Sequence, residues 1–550
     1  MVHTTRRRAI KSIGAAGIGV GIAGCTSSNS EGEDGDPLGE PVQEITLLSI
    51  AQGDAPARYE YGQLIQANLE ALGFQVNYDP KPVNQYVESR AQEPFPWDMM
   101  VRRAGDGYEP AESILRGFFH SENIGDGGSN MYAYRNQEVD DLLEEQRGEL
   151  DPNARIELIH DIQRILREDM PVVPLLIQER VMPYNSDKFE NPTVMLEDGM
   201  GCFWNFLNIE PTGDDKHLRT SMAEDLTTLN PLRLTNRGDR EMIRLIYDRL
   251  MRVTPEIEVE PWAARSVDVI DDTTIEVTLR EGMTFHDGEP VTAEDVKFSF
   301  DYAKRESPSL ASRLDVLDNV EVVSDLELMF TLSEPSAPFL ESAMARILIL
   351  PQHIWKDIPE SVEAGAAIDW DNPEAIGSGP FKLDSFALGE EAQLSAFDDH
   401  FNPPKIERVS RAIIANIRAG IRAFEDGELD LLTWELPFDD IARFEQREST
   451  GLTRNLMTSI HHIGFNLRNA PFDDPAVREA LAHAIPQEDI IDTIYGGTAG
   501  IIHNPMSSGF GNFYWDDVPE YESDVSVAQE KLANLGFERD SSGRLHYPAE

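Results

Sequence analysis

Phe285-His286-Asp287-Gly288-Glu289-Pro290-Val291-Thr292-Ala293-Glu294-Asp295-Val296 is the stretch whose local chemistry sets the fold. Gly288 and Pro290 supply the backbone freedom and the fixed φ that a tight turn needs. Thr292-Ala293-Glu294-Asp295 then reads as a capping box, opening a helix that runs through Tyr302. Just upstream, Thr274-Ile275-Glu276-Val277-Thr278-Leu279 alternates in the manner of a half-buried strand. Strand, turn and capped helix in close succession point to mixed α and β structure.

The same punctuation recurs outward in both directions. Glu44 to Ile50 alternates as a strand, and residues 59–72 place Ile65, Leu69 and Leu72 at helical spacing with Gly73 as the stop. Asp151-Pro152 is a cap and first-turn pair, followed by Leu158, Ile159, Ile162, Ile165 and Leu166 on one helical face. Asp474-Pro475 opens another helix, with Val477, Leu481 and Ile485 expected inward. Helices and short strands mix throughout without a strict βαβ rhythm, which indicates a multi-lobed α/β protein.

Composition narrows the function. The chain has 550 residues, enough for three or four domains by length alone, and 41% of them are hydrophobic, so large cores are affordable. Lys and Arg number 47 against 99 Asp and Glu, a formal charge of −52. Such a balance argues against nucleic-acid binding, which needs clustered cations. The acids are dispersed along the chain, whereas a partner-binding acidic tail would be a block. Dispersed carboxylates suit concentrated salt: at about 1 M the Debye length is roughly 3 Å, and self-repulsion is screened. The two cysteines, Cys25 and Cys202, exclude a disulfide framework and a multi-cysteine zinc site. No 18-residue apolar run follows the first 25 residues.

Those first residues read as an address. Thr5-Arg6-Arg7-Arg8-Ala9-Ile10-Lys11 resembles the twin-arginine export pattern, with Ala9 where an aromatic is common. A short Gly/Ala/Ile stretch follows and ends in Ile22-Ala23-Gly24-Cys25, which resembles a lipoprotein box with Cys25 as the lipid acceptor. The alternative is a buried cysteine behind a chance basic start. Residues 1–24 are thus expected to be a signal peptide and 25–40 a flexible acidic tether. The mature protein would sit on the outer face of the cell membrane, held there by lipid alone, and stable anchoring implies two acyl chains.

Several segments resemble the family 5 extracellular solute-binding proteins, the dipeptide, oligopeptide and nickel binders of ABC importers. The 285–296 stretch resembles that family's signature. So do Gly377-Ser378-Gly379-Pro380-Phe381 and Phe465-Asn466-Leu467-Arg468-Asn469-Ala470-Pro471-Phe472, continued by Val477-Arg478-Glu479-Ala480-Leu481. Asp225-Leu226-Thr227-Thr228-Leu229-Asn230-Pro231 and Ile246-Tyr247-Asp248-Arg249-Leu250 resemble the family's usual beginning. That beginning stands in mid-chain, and residues 42–210 resemble the family's last third. Asn136-Gln137-Glu138-Val139-Asp140-Asp141-Leu142-Leu143 and Asp169-Met170-Pro171-Val172-Val173-Pro174-Leu175 carry this likeness.

The resemblance implies a two-lobed periplasmic-binding-protein-like α/β fold (class II) with an extra subdomain, circularly permuted. One lobe is expected to join 461–550 to 41–174. The main lobe takes 175–244 and 351–460, and the extra subdomain 245–350. Glu210 to Lys216 would bridge the ancestral ends, and residues 42 and 550 should be neighbours within one monomer. A domain-swapped pair of half-proteins is the alternative.

The family likeness also carries the site. Arg103-Ala104-Gly105-Asp106-Gly107-Tyr108-Glu109-Pro110 resembles the cleft motif whose acid holds a peptide amine, so Asp106 is the candidate for that role. An Asx-turn between two glycines is the other reading. Arg103 stands where peptide binders of the family commonly have Trp, and a cleft arginine would favour a carboxylate or phosphate-like group. Tyr108, Trp434 and Phe381, with Trp97 and Trp515, are candidates to line the cavity, or else core residues. His461-His462 invites a metal reading, but neighbours on a strand face opposite ways. No metal or cofactor is expected.

The function implied is capture of a short peptide or similar solute between closing lobes, and delivery to an ABC permease with separate ATPase subunits, by a monomer. Nickel-chelate or sugar binding and ligand sensing remain alternatives on the same fold. A peptidase is the enzyme rival, but G-x-S-x-G, H-E-x-x-H and P-loop motifs are all missing from the sequence.

Overall fold

The computed structural model describes residues 38–104, 109–222, 224, 226–233, 237–358, 366–387, 389–414 and 416–549. Its largest sheet has six strands, in the order Ala499–Ile501, Val172–Asn185, Thr450–Phe465, Met99–Ala104, Ile45–Ile50 and Val76–Lys81. Ile45–Ile50 runs parallel to both its neighbours, and the remaining pairings are antiparallel. The sheet therefore draws on two stretches of chain far apart in sequence. Strand alternation gives it two buried faces. Leu47, Met99 and Val101 enter one core, with Ile463 and Phe465, and Leu48 and Met100 enter the other.

The helix Pro56–Ala71 covers the first of these faces with Tyr61, Ile65 and Leu69, each fully buried. Burial of each such side chain stabilises the fold by roughly 1.5–3 kcal/mol. Gly73 ends the helix at φ +98, a conformation that favours glycine. Its carbonyl accepts the Leu545 N–H at 2.9 Å, and the Val42 N–H reaches the Leu545 carbonyl, also at 2.9 Å. Pro41 bridges to His546, so the stretch entering the first strand lies beside the last described hairpin.

The second lobe holds a four-stranded sheet in the order Phe381–Ala387, Glu391–Ala396, Arg408–Ile413, His217–Met222. An antiparallel sheet of Ala264–Asp271, Thr274–Leu279, Glu327–Leu332 and Leu317–Ser324 forms the subdomain, with the helix Ala293–Glu306 packed on it. Thr292 and Asp295 make the expected capping box, and the helix continues past Tyr302 to Glu306. Phe285 is fully buried, and His286 holds Gly379 through its ring and Gly377 through its backbone N–H. Gly377 lies so close to Ile246 that a Cβ would stand 2.1 Å from the Ile246 carbonyl oxygen. The two sequence motifs thus lock together. Phe300 and Phe330 of the subdomain and Leu218 and Val409 of the main lobe belong to one continuous core.

Two long strands, Val172–Asn185 and Thr450–Phe465, cross between the lobes. Their first pairings, from Val172↔Gly464 to Ile177↔Ile460, lie in the six-stranded sheet. Their second pairings, Glu179↔Leu456 to Asn185↔Thr450, lie against the main lobe, where Tyr184 bridges to Leu431. The ladder breaks between Leu456 and Ile460. The expected boundaries at 174/175 and 460/461 thus fall inside continuous strands. One smaller expectation is corrected: the helix after Asp474 ends at Ala482, and Ile485 is buried beyond it.

Candidate ligand cleft between the lobes

A cavity of about 530 Å3 lies between residues 109–147 of the composite lobe and residues 309–342 of the subdomain. That is an ordinary size for a small-molecule site. One wall is the helix Ala111–Phe119, which buries Ala111, Leu115 and Phe119 and turns Glu112 and Arg116 towards the cavity. Glu112 sits in the first helical turn, where the helix dipole favours a negative charge, and Arg147 stands 3.9 Å from it. Arg116 lies between Glu122 at 2.5 Å and Glu144 at 2.8 Å. Burial opposes its charge, but Glu144 and Glu122 outweigh burial and raise its pKa.

The opposite wall brings Arg313 across the gap. Its Nη2 forks to both Glu109 oxygens, each at 3.2 Å, joining residues 204 positions apart. A second cross-link is the Ala337 N–H, donated to the Arg147 carbonyl at 2.7 Å. Serines line both sides: Ser113 and Ser129 on one, Ser309, Ser312 and Ser342 on the other. Asp315, Phe118, Val316 and Phe339 complete a surface that offers both charges, hydroxyls and apolar area.

A buried ionic network lies where the two crossing strands lose their ladder. Glu197, 3% exposed, accepts the Thr458 backbone N–H at 2.8 Å and its hydroxyl at 3.0 Å. Arg180 stands 3.6 Å and Arg103 3.7 Å from the same carboxylate, and Arg103 donates to the Ser459 hydroxyl at 3.0 Å. Deeper still, Glu241 pairs with Arg237 at 2.6 Å and with the fully buried Arg411. Burial alone would raise the Glu241 carboxyl, but Arg237, Arg411 and Arg244 outweigh it and hold it at about 2.

Of the residues singled out in the sequence, Asp106, Tyr108 and Cys25 lie outside the described residues. The described positions that flank Asp106 and Tyr108 line cavities: Glu109 the large one and Ala104 a smaller one behind it. Arg103 faces Glu197 and Ser459, and its side chain stays 27% exposed. Phe381 takes the core alternative: it is fully buried, opposite Ala396 in its sheet, because it begins a strand on the core-facing side. Trp434 is half-buried on the Ile421–Phe444 cluster, and its indole N–H is donated to the Ile414 carbonyl at 3.1 Å, away from the cavity. Trp97 is core, and Trp515 stands under Arg164.

His461 and His462 do face opposite ways. His461 meets the Tyr61 hydroxyl at 2.8 Å on one face, and His462 meets the Tyr132 hydroxyl at 2.7 Å on the other. Burial pushes the Cys202 thiol up to about 12, so at neutral pH it stays protonated and a poor nucleophile. Arg313, Glu112 and Arg147 were not singled out in the sequence. The only signal at Glu112 and Arg313 was charge beside serine, as in Ser309-Leu310-Ala311-Ser312-Arg313, which is ordinary in so charged a chain, and Arg147, between Gln146 and Gly148, carried none.

Comparison with known proteins agrees with this architecture. The chain is 28% identical over 323 residues to the oligopeptide-binding protein AppA of Bacillus subtilis (strain 168), covering 58% of each protein. It is 27% identical over 322 residues to the dipeptide-binding protein of Escherichia coli (strain K12), covering 54% of this chain and 59% of that one. The chain thus spans little more than half the length of the curated relatives it matches. The structure of HbpA2 from Haemophilus parasuis shares the fold, with a TM-score of 0.51 at 23% identity, over 58% of this chain and 66% of that one. The family model for bacterial extracellular solute-binding proteins, family 5 Middle, matches residues 258–549. That is more than half of the sequence, and the chain belongs to the family 5 bacterial extracellular solute-binding proteins.

Proposed function

We propose that this protein captures a short peptide, or a solute of similar polarity, in the cavity between residues 109–147 and 309–342. The closed form then hands it to an ABC permease driven by separate ATPase subunits. The observation that carries this reading is the cavity itself: about 530 Å3, walled by two lobes, with carboxylates and guanidinium groups on both sides. A zwitterion with amide groups finds a partner there for each of its polar parts. The names of the relatives, an oligopeptide-binding and a dipeptide-binding protein, favour a peptide over other solutes. Asp106 is assigned to the ligand's amine.

Three further readings accompany it. The composite lobe is a circular permutation of the family order, supported by the sheet that joins residues 45–185 to residues 450–501 and by the Val42–Leu545 hydrogen bond. Export follows the twin-arginine route, and Cys25 carries the lipid that anchors the mature protein outside the cell. The acidic surface is an adaptation to concentrated salt.

Titration with tri-alanine and longer peptides in molar KCl, followed by tryptophan fluorescence and thermal shift, tests the central claim. Binding at 100 times Kd raises stability by about 2.7 kcal/mol, a plain shift in the melting temperature. Asp106→Asn is expected to weaken binding about tenfold or more, the usual worth of a charged hydrogen bond. No response to any peptide would refute the peptide reading, and an unchanged affinity in Asp106→Asn would remove Asp106 from it.

A further inference from the structure

Behind the wall of the large cavity lies a second, smaller one of about 10 Å3, room for a single water-sized group. Ile114 and Phe118 belong to the walls of both, so these two side chains form the partition. On the inner side stand Tyr132, Thr458, His462 and Ser507.

The proton positions follow from the hydrogen bonds. Arg102 Nη1 donates to the Tyr132 hydroxyl at 3.0 Å, and an arginine can only donate. The tyrosine proton therefore goes to His462 Nε2, 2.7 Å away. Burial drives the ring neutral, its pKa well below the ordinary value, which leaves the proton on Nδ1. Among the described residues no hydrogen bond receives that proton, although His462 is only 2% exposed. The Ile460 carbonyl stands near enough to favour the protonated ring but lacks hydrogen-bond geometry to Nδ1. The hydroxyl protons are committed elsewhere: Thr458 gives its proton to Glu197 Oε2 at 3.0 Å, and Ser507 gives its to the Met457 carbonyl at 2.7 Å. Ser507 Oγ also accepts the Gly509 N–H at 3.2 Å and keeps a second lone pair, so the residues lining the small cavity bring to it one N–H donor and a hydroxyl oxygen able to accept.

A group that must both accept and donate within one water-sized space is an O–H. A methyl would leave the His462 N–H buried and unpaired, a cost of roughly tenfold in affinity. An ammonium offers nothing for that N–H, and a carboxylate would face the lone pairs of the hydroxyls. We propose that the inner cavity is a hydroxyl subsite of the ligand cleft. It holds one water in the ligand-free protein and exchanges it for the hydroxyl of a short ligand side chain, admitted as Phe118 turns aside. This inference rests on the peptide reading above and names a preference within it.

The test compares tri-alanine with tripeptides in which serine is stepped through each position, titrated in molar KCl against the wild type, His462→Phe and Ser507→Ala. In the wild type, serine at one position is expected to bind about tenfold tighter than alanine. Both variants should reduce that preference below twofold. Circular dichroism checks that each variant is folded, and if His462→Phe is not, Ser507→Ala alone decides. The imidazole 15N shifts of His462 should report a neutral, Nδ1-protonated ring. Equal binding of alanine and serine at every position, or a preference that survives in the folded variants, overturns the subsite alone. An Nε2-protonated ring does the same. Failure of every tripeptide, tri-alanine included, overturns the peptide reading and the subsite with it.

Discussion

Replacing Glu241 by glutamine should cost this protein about 3 kcal/mol of stability, and the structure supplies the figure. Glu241 is 4% exposed and is the acidic partner of Arg411, which is fully buried and whose Nε and Nη1 have no hydrogen bond among the described residues. Removing one member of a buried ion pair leaves the other charge uncompensated, typically 3–5 kcal/mol. A second route gives the same size. The carboxyl is held at about 2 against an ordinary 4.5, and a shift of that size corresponds to roughly 3 kcal/mol. Because the folded-state pKa is depressed, the contribution is full above 4.5 and fades as the pH falls from there towards 2.

Urea unfolding in molar KCl measures it: the midpoint should fall in Glu241→Gln while the slope stays constant. The pair is buried, so the loss should change little with salt above the concentration the fold requires, unlike a surface pair. The double variant Glu241→Leu/Arg411→Met should recover the part of the loss that belongs to Arg411, since apolar replacement of a buried pair is often neutral, while Arg237 loses its partner in both variants. A loss under about 1 kcal/mol, or a double variant no better than the single one, would show that the network does not carry the energy assigned to it.

Two other perturbations follow. Arg313→Ala removes the cross-lobe pair with Glu109, whose side chains are 27% and 44% exposed, so its worth is roughly 0.2–1 kcal/mol and less in high salt. Peptide affinity should drop no more than about fivefold. Arg313→Ala/Glu109→Gln should lose no more than either single variant, and additive losses would show that the two residues act separately. Dialysis of the mature protein from molar KCl into dilute buffer should unfold it, because charge repulsion across the acidic surface is then unscreened. Circular dichroism unchanged after dialysis would contradict that reading of the acidity.

What could be read from the sequence was local. The Thr292–Asp295 box, the Asp151-Pro152 and Asp474-Pro475 starts and the Gly73 stop each rest on hydrogen bonds within a few residues, and all appear in the structure. The two-lobed fold was legible only through the resemblance of whole motifs to a known family, and two of those motifs meet in the structure where the His286 N–H is donated to the Gly377 carbonyl. The cleft was not. Arg313 meets Glu109 across 204 positions, and no periodicity encodes that distance. Phe381 stayed open between cavity and core because an aromatic beside Gly-Pro suits a binding loop and the first residue of a buried strand equally well. The partner of Arg103 was hidden for the same reason as that of Arg313: Glu197 lies in a segment the motif does not touch.

The composite lobe places its cost in time rather than in stability. Arg103 and Ser459, bonded across the strand pair of that sheet, are 356 positions apart. Each doubling of a closed loop costs only about 0.6 kcal/mol, so such a span adds little more than a contact a quarter as long. The hydrophobic gain from Leu47, Met99, Ile463 and Phe465 in one core outweighs it many times over. Order of arrival is another matter. Met99–Ala104 and Ile45–Ile50 must wait for Thr450–Phe465 before their shared core can close, and long-range pairings slow folding. The main lobe and subdomain, built largely from residues 217–413, have no such wait. The molecule should therefore refold in at least two kinetic phases, with the main-lobe core first. A single phase, reported alike by Trp355 in the main-lobe core and Trp97 in the composite lobe, would mean that the crossing strands couple the lobes from the start.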